Sequence, residues 1–419
     1  MERLGQQALA LEYGWTDSPQ GRAPVETRGI DWGGVLSRRL ERLQDGAATQ
    51  QLDILILANP GNVIFSTTWP RYRPSAHEGA YLAVLDVRNR RLAIFASEGD
   101  ELMVREDAAF HEIFVLPPWN GAWYEAIVDS HILPDTATLA VGMDRAAYQI
   151  LADPMSNAHP DWKVAGVDSL LAEARALKSQ PEVDAYKETL AVVEVGINKA
   201  IRLVKGGAFR RTELEIASAA NYALMLKGCT QADIWCTSGP RAAPVRRFPS
   251  NRYLRRGEFV VIDGGGIYNG FRSEFARTVW TGGVLSTEQR NAYLAVYEAL
   301  EAGERELRPG ADTAEIEMTC LEVVGKAGLS DFYGGYPYTG HGIGIGAEPP
   351  YITSRFEVYR TSLQAGMLIN LEPAVWIPGV GGVRLENTYL ITQDGAVCLS
   401  SAPYDSDLVE PSSPAPGAK

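Results

Sequence analysis

The stretch VVIDGGGIYNGFRSEFART, residues 260–278, carries two acidic side chains, Asp263 and Glu274, eleven positions apart. An apolar run of strand type precedes Asp263, and three glycines follow it. Because alternate residues of a β-strand share a face, an acid inside VVID can point into a cavity between strands. The stretch therefore predicts strands that carry an acidic site.

Further downstream, three more residues of metal-ligand type lie in glycine-rich or strand-like sequence. His341, in YTGHGIGIG, is the only histidine of the C-terminal half, and Glu372 (INLEPAVW) and Glu386 (GGVRLENTYLIT) follow it. The glycines beside His341 permit a close approach of the backbone around the imidazole. Carboxylates with one imidazole suit Mn, Fe, Co or Zn rather than a thiolate-rich structural site. If these groups converge, the predicted metal ligands are Asp263, Glu274, His341, Glu372 and Glu386.

Length and composition narrow the class of protein. With 419 residues, 46% of them hydrophobic and 22% charged, the chain is typical of a soluble globular protein of two domains. The net charge of −13 argues against a nucleic-acid-binding surface. No apolar run reaches the length of a membrane span, and the N-terminus has no secretory signal. The four cysteines form no CxxC pair, so we expect reduced thiols and a cytoplasmic protein.

The first part of the chain alternates strand-like and helical sequence. A helix is predicted from Trp32 to Leu43, and strands in LDILILANP, YLAVLDV, RLAIFAS and TLAVGMD. This alternation is typical of an α/β domain. We predict an N-terminal domain over residues 1–178, a second domain over 179–408 and a disordered tail over 409–419, which is rich in Pro and Ser.

Two capping boxes mark helices at the start of the second domain. Ser179 is followed three positions later by Glu182, and Thr212 by Glu215. Glycines predict the end of the first helix near Gly206 and of the second near Gly228. Two more helices are predicted, Thr287–Leu307 and Thr313–Ala327, with strands around the acidic motifs.

Taken together, these motifs make the second half resemble the pita-bread superfamily of methionine aminopeptidase, Xaa-Pro dipeptidase (prolidase), aminopeptidase P and creatinase. The resemblance covers about residues 180–400, and the preceding domain resembles the N-terminal domain of prolidase and creatinase. It implies an α/β (α+β) protein with a C-terminal pita-bread domain. It also implies a homodimer that acts on a small molecule or dipeptide.

The resemblance assigns roles to the predicted ligands. Two divalent ions (Mn, Fe, Co or Zn) are implied, with Asp263 on one, His341 and Glu372 on the other, and Glu274 and Glu386 bridging. A water between two metals becomes a hydroxide nucleophile near neutral pH, and Glu372 could relay its proton. The predicted catalytic residues are Glu372, Glu274 and Glu348.

Three positions depart from the pattern of the peptidases in this superfamily. Glu274 stands where they have an aspartate, which adds a methylene group but keeps the charge. Arg246 stands where they have an upstream histidine, and Ala347 precedes Glu348 where they have a second one. Both imidazoles that handle substrate in the peptidases are therefore missing from these positions.

Several arginines, and a segment that could cover the active site as a lid, indicate the class of substrate. Guanidinium groups bind carboxylates through paired hydrogen bonds, which favours a small substrate with a free carboxylate. By resemblance, the segment STTWPRYRPSAHEGAY would cover the partner's active site in a dimer, and His77 within it could supply an imidazole. The predicted substrate-binding residues are Arg241, Arg246, Arg247, Trp69, Arg71, Tyr72 and Arg384.

Three hypotheses about function remain open from the sequence. The first is a metal-dependent hydrolase that cleaves a C–N bond in an Xaa-Pro-like dipeptide or a non-peptide amide. The second is a metal-assisted lyase similar to the dimethylsulfoniopropionate lyases, which also lack both histidines. The third is a non-catalytic binding protein that kept the fold, as the change at Glu274 would allow.

Overall fold

A computed structural model describes residues 30–68, 81–101, 104, 112–118, 120–207, 210–243, 247–334 and 336–409. In the described part, no helix has both the length and the apolar character needed to cross a membrane. The domain boundary predicted at 178/179 falls between two helices and stays a prediction, and most of the predicted tail lies outside the described residues.

The first part of the chain forms one mixed sheet flanked by helices. Its strands are β1 Ile54–Leu57, β2 Leu82–Asp86, β3 Arg91–Ala96, β4 Glu112–Val115, β5 Ala140–Met143 and β6 Lys163–Gly166, in the order β4-β3-β2-β1-β5-β6. Its helices are α1 Trp32–Thr49, α2 Pro60–Thr67, α3 Trp123–Asp129, α4 Arg145–Ala158 and α5 Asp168–Ala176. Strands β1, β5 and β6 run parallel, whereas β1 pairs antiparallel with β2.

Each face of this sheet is covered by a separate apolar core. Leu55 and Leu57 of β1 point to the core that includes α1 and α5, whereas Ile54 and Ile56 point to the core that includes α3 and α4. The alternation follows from the two-residue period of a strand. This arrangement confirms the α/β class predicted for the first part.

Helix α1 is longer than its apolar pattern predicted. It continues to Thr49 instead of ending at Leu43, because Ala47 is buried and Gly46 packs directly on Leu170. A β-carbon at Gly46 would lie 2.9 Å from Leu170 Cγ. The glycine therefore serves close helix packing here and does not end the helix.

The second part contains four long helices and thirteen strands among its described residues. Its helices are α6 Gln180–Lys205, α7 Glu213–Leu226, α8 Thr287–Glu306, α9 Thr313–Lys326 and the short α10 Ser406–Val409. Its strands are β7 Gln231–Ala232, β8 Trp235–Ser238, β9 Phe259–Asp263, β10 Gly265–Tyr268, β11 Phe271–Glu274, β12 Arg277–Trp280, β13 Gly340–Ile343, β14 Ala347–Ile352, β15 Leu368–Leu371, β16 Ala374–Ile377, β17 Gly381–Arg384, β18 Asn387–Thr392 and β19 Gly395–Cys398.

These strands form small antiparallel sheets with helices packed on them. The sheets are β11-β10-β7, β12-β9-β8, β14-β13-β15-β18-β19 and β16-β17. Both predicted capping boxes are present, with Ser179 and Thr212 at the helix N-termini. The predicted helices near 287–307 and 313–327 are confirmed as α8 and α9.

A buried ion cluster joins α1 to α6. The Glu182 carboxylate accepts hydrogen bonds from Arg39 Nε at 2.6 Å, Arg42 Nη2 at 2.9 Å and the Ser179 backbone N–H at 2.8 Å. Burial alone would raise the pKa of Glu182, but the two guanidinium groups and this backbone donor lower it to about 2. The ion cluster thus stabilises the ionised carboxylate in the folded chain.

We expect this cluster to make folding stability depend on pH in acid. Because the pKa of Glu182 is lower in the folded chain, its contribution is fully present above about pH 4.5 and is lost as the pH falls toward 2. The contribution is on the order of 3 kcal/mol at neutral pH. Glu182→Gln should therefore be less stable than wild type at pH 7, with a difference in the free energy of unfolding that shrinks toward pH 2. Denaturant titrations at several pH values measure this, and Glu288→Gln at an exposed position is the control. A difference independent of pH would contradict the assignment.

Candidate metal centre

The five predicted ligands lie around one cavity of about 260 Å³ in the second part of the chain. The side chains therefore meet in space, as the metal hypothesis requires. The described residues that line the cavity are Trp235, Asp263, Gly264, Arg272, Glu274, Tyr336, Tyr338, His341, Ala347, Glu372, Arg384 and Glu386.

Strand register brings three of these side chains together. His341 of β13 pairs with Asn370 of β15, and Leu371 of β15 pairs with Asn387 of β18. Glu372 follows β15 directly, and Glu386 directly precedes β18, so the two acids lie at adjacent strand ends. Antiparallel pairing thus brings His341 close to two acids that follow it by 31 and 45 positions in the chain.

The other two acids come from the neighbouring sheets. Asp263 is the last residue of β9, and Glu274 is the last residue of β11, where it pairs with Gly265. Between them Gly264 adopts a φ of +108°, and a β-carbon there would lie 2.3 Å from the carbonyl oxygen of Asp233. Only glycine accommodates both the positive φ and the close approach. The chain can therefore turn sharply after Asp263 and return Glu274 to the same cavity.

His341 presents one ring nitrogen to the cavity. Its Nδ1 donates to the carbonyl oxygen of Gly342 at 2.9 Å, which assigns the proton to Nδ1 and leaves Nε2 with a lone pair. Nε2 lies 3.6 Å from Glu274 Oε1 and 3.7 Å from Glu372 Oε1. Burial lowers the pKa of His341, although the charge of Glu274 opposes this effect. A neutral imidazole in this orientation is suited to bind a metal.

Ligand atoms of His341, Glu372 and Glu386 all lie within 4.8 Å of one another, and the three side chains are buried. Glu372 Oε1 accepts no hydrogen bond from the described residues. A buried carboxylate oxygen without a donor is costly unless a cation pairs with it. The donor set and this unpaired oxygen both fit a divalent ion at this place.

The surroundings of Glu386, like those of Glu372 Oε1, lack a balancing positive charge. Burial raises the pKa of Glu386 to about 8, and the charges of Asp263 and Glu274 add to this effect while Arg384 opposes it. A cation at the cavity would favour the ionised form of Glu386.

A polar network behind the cavity orients Glu386. Asn370 Nδ2 donates to Glu386 Oε1 at 2.8 Å, and Asn370 Oδ1 accepts from the Thr388 hydroxyl at 2.8 Å. The Tyr186 hydroxyl lies 3.2 Å from Thr388 Oγ1 and extends the network to α6. Groups of this kind fix the orientation of metal ligands. Asn370 lies two residues before Glu372 in strand-like sequence, a spacing that could have identified it.

Two arginines enter the cavity, Arg272 from β11, which also carries Glu274, and Arg384 from the end of β17. Arg384 Nη1 lies 2.7 Å from Asp263 Oδ2, and Arg384 also contacts the Glu372 carboxylate. Arg272 Nη2 lies 2.8 Å from Glu274 Oε2. The sequence prediction included Arg384 but missed Arg272, although Arg272 precedes Glu274 by two residues and so shares its strand face.

The structure does not support the catalytic role predicted for Glu348. This residue is absent from the cavity lining, and its carboxylate accepts from Lys178 Nζ at 2.8 Å and from Arg175 Nη2 at 2.7 Å. On β14 its register partner is Gly342, so the neighbouring Ala347 reaches the cavity in its place. Glu348 is a structural ion partner that ties the second part of the chain to α5.

Two predicted substrate arginines also lie away from the cavity. Arg241 Nε lies 3.2 Å from Glu213 Oε2, and its Nη2 donates to the Phe248 carbonyl oxygen at 2.8 Å. Arg247 is exposed and does not line the cavity. A substrate role for either residue would need a rearrangement of this turn.

The remaining predicted substrate-binding positions fall outside the described residues. These are Arg246 and the lid residues Trp69, Arg71 and Tyr72, together with His77. Among the described residues that line the cavity, His341 is the single histidine. The two imidazoles missing from the motifs are therefore not replaced from the described part of the chain.

Comparison with known proteins identifies the family. Residues 184–393 match the model of metallopeptidase family M24, which is just over half of the chain. This chain belongs to metallopeptidase family M24. Its membership confirms the superfamily that the motifs predicted and its class as a metallohydrolase.

This chain is similar to three proteins over nearly the whole of their length. The Xaa-Pro dipeptidase of Pyrococcus furiosus is 27% identical over 369 residues, which is 87% of this chain and 98% of that protein. The prolidase structure from Thermococcus sibiricus has a TM-score of 0.75 at 22% identity, covering 88% of this chain and 98% of the other. The dipeptidase PepE structure from Mycobacterium ulcerans has a TM-score of 0.74 at 24% identity, covering 90% and 98%. These structural similarities confirm the predicted pita-bread architecture.

Proposed function

We propose that this M24 protein is a metal-dependent hydrolase that cleaves the C–N bond of a small substrate with a free carboxylate, such as an Xaa-Pro-like dipeptide or a non-peptide amide. The observation that carries the proposal is the convergence of Asp263, Glu274, His341, Glu372 and Glu386 on one cavity. The names of the similar proteins, Xaa-Pro dipeptidase and prolidase, support the same substrate class.

The metal would be held first by His341, Glu372 and Glu386, whose ligand atoms are closest together. When bound, a divalent ion would acidify a water molecule and polarise the carbonyl of the scissile bond. Oxygen donors with one imidazole are compatible with Mn, Fe, Co or Zn, and this donor set does not select among the four metals.

Glu372 is placed to move protons during cleavage. Its Oε1 accepts no hydrogen bond from the described residues, whereas Oε2 contacts Arg384. Arg384 thus holds one oxygen and leaves the other directed at the cavity near His341 Nε2. Such a carboxylate can take a proton from the attacking water and deliver it to the leaving amine.

Aromatic side chains and one arginine give the cavity its preference for small substrates. Tyr336, Tyr338 and Trp235 line the cavity, and their rings suit contact with the ring of a proline or a short side chain. The Arg384 guanidinium stacks on Tyr336, with 4.8 Å between its Cζ and the ring centroid. Among the predicted substrate arginines that the structure describes, Arg384 alone lines the cavity.

The direct test combines metal removal with a substrate panel. We expect purified protein with Mn²⁺ or Co²⁺ to release free proline from Xaa-Pro dipeptides and to act poorly on dipeptide amides, which lack the carboxylate. Treatment with a chelator should abolish turnover, and the metal should restore it. Turnover that a chelator leaves unchanged would reject the proposal.

The same panel separates the other two hypotheses. Release of dimethyl sulfide from dimethylsulfoniopropionate, without dipeptide cleavage, would favour the lyase. Metal-replete protein without turnover on dipeptides, amidines and amides would favour the non-catalytic binding protein.

Assembly and domain organisation belong to the proposal as well. We infer a homodimer, on the resemblance to prolidase and creatinase, with an N-terminal domain over residues 1–178 and a catalytic domain over residues 179–408. Light scattering on the purified full chain measures the mass, and a mass of 45.7 kDa, that of one chain, would contradict the dimer.

A further inference from the structure

The lining of the cavity already contains positive charge that the protein supplies. On β11, Arg272 and Glu274 share a strand face, and Arg272 donates to Glu274 Oε2 from Nε at 3.1 Å and from Nη2 at 2.8 Å. Arg272 Nη2 also lies 2.8 Å from Asp233 Oδ2. The guanidinium therefore bridges two carboxylates, as a metal ion would.

Asp263 is likewise engaged by a guanidinium. Arg384 Nη1 lies 2.7 Å from Asp263 Oδ2, and Asp263 lines the same cavity as Glu274. Asp263 and Glu274 are the acids that would have to hold a second ion. Both are paired with permanent cations, because an arginine keeps its charge at all relevant pH values.

The other three predicted ligands lie close together. His341, Glu372 and Glu386 place ligand atoms within 4.8 Å of one another. Arg384 contacts Glu372 Oε2, but Glu372 Oε1 is buried without a hydrogen-bond donor from the described residues. The unmet need for a cation is thus at these three residues.

The charges at the cavity disfavour a second ion. Four carboxylates and two guanidinium groups line the cavity, and Arg272 also pairs with Asp233 outside the lining. A second ion held by Asp263 and Glu274 would lie next to the guanidinium groups that pair with them and would be repelled.

We propose that the Arg272 guanidinium takes the place of one of the two expected metal ions, so that each chain binds a single divalent ion through His341, Glu372 and Glu386. The inference rests on the proposed metal-dependent function and corrects its ion count. It also explains Glu274, whose additional methylene lets one oxygen pair with Arg272 while the other lies 3.6 Å from His341 Nε2.

The test counts bound metal and does not depend on activity. Metal-free protein is dialysed against Mn²⁺ or Co²⁺, and the ions bound per chain are measured by elemental analysis. Wild type should bind one ion. Arg272→Ala should bind two, because Glu274 and Asp233 lose their cation. Arg272→Lys, which keeps a charge, should bind one, and so should the control Arg308→Ala at an exposed position.

Each outcome bears on a separate claim. Two ions bound to wild type with similar affinity would overturn the inference and leave the proposed hydrolase intact, whereas no bound ion would contradict the proposed function itself. One ion in both wild type and Arg272→Ala would show that Arg272 does not exclude the second ion. If Arg272→Ala does not fold, Arg272→Gln removes the charge while keeping a donor for Glu274, and the same counts apply.

Discussion

Replacing Glu372 with glutamine is expected to lower kcat/KM by about 10²- to 10⁴-fold, the range found when a group that transfers protons in the transition state is removed. Glu372 lines the cavity and directs Oε1 toward His341 Nε2 at 3.7 Å, with no hydrogen-bond donor from the described residues. Glutamine keeps the size of the side chain but can neither accept the proton nor balance the charge of a metal. Steady-state kinetics on an Xaa-Pro dipeptide measure the effect.

The matched control is Glu357→Gln, because the Glu357 side chain is 86% exposed and does not line the cavity. Both variants lose one carboxylate, so they change the net charge equally. We expect the control to keep wild-type kinetics. If Glu372→Gln were as active as the control at saturating metal, the proton-transfer role of Glu372 would be wrong.

Replacing Glu348 with alanine is expected to destabilise the fold by about 3–5 kcal/mol, the cost of breaking a buried ion pair at one partner. Glu348 is 4% exposed at the side chain, and Lys178, its partner at 2.8 Å, is 3% exposed. Burial alone would raise the pKa of Glu348, but Lys178 and Arg175 hold it below its usual value. The variant leaves the buried Lys178 ammonium group, which also donates to the Ala176 carbonyl oxygen at 3.2 Å, without its carboxylate partner.

Denaturant titration at pH 7 measures this loss. Glu322→Ala is the control, since its ion pair with Lys326 is exposed and such pairs contribute less than about 1 kcal/mol. The double variant Glu348→Leu with Lys178→Met should recover part of the stability, because no buried charge remains unpaired. A fall in kcat of about 10²-fold without loss of stability would instead restore the catalytic role that the sequence predicted for Glu348.

The sequence was most informative where local patterns are strong. The capping boxes at Ser179 and Thr212 located two helices, because side-chain caps and apolar periodicity are properties of adjacent residues. The acidic motifs around Asp263 and Glu274 were likewise assigned to strands, as found. Local chemistry at these places does not depend on the rest of the fold.

Prediction was weaker where the partner of a charged side chain decides its role. Glu348 follows the motif of His341 closely, and the sequence alone could not show that Lys178, 170 positions away, takes its carboxylate. The three arginines between positions 241 and 247 suggested a site for the substrate carboxylate. One of them, Arg241, is instead paired with Glu213. Ion pairs of this kind form between distant segments, so no local pattern reports them.

By itself, the sequence determined the kinds of ligand, their order along the chain and the family. The reason is that the type of donor atom and the spacing of the motifs depend only on the order of residues in the chain. The tertiary structure alone decided which carboxylates are shared with cations of the protein. Arg272 and Glu274 share a face of β11, but only the fold brings Asp233 to the same guanidinium and Arg384 to Asp263, while Glu372 keeps an unpaired buried oxygen. The physical reason is that the charge at a buried site is the sum over all groups that the fold packs around it, and that sum depends on distances the sequence does not contain.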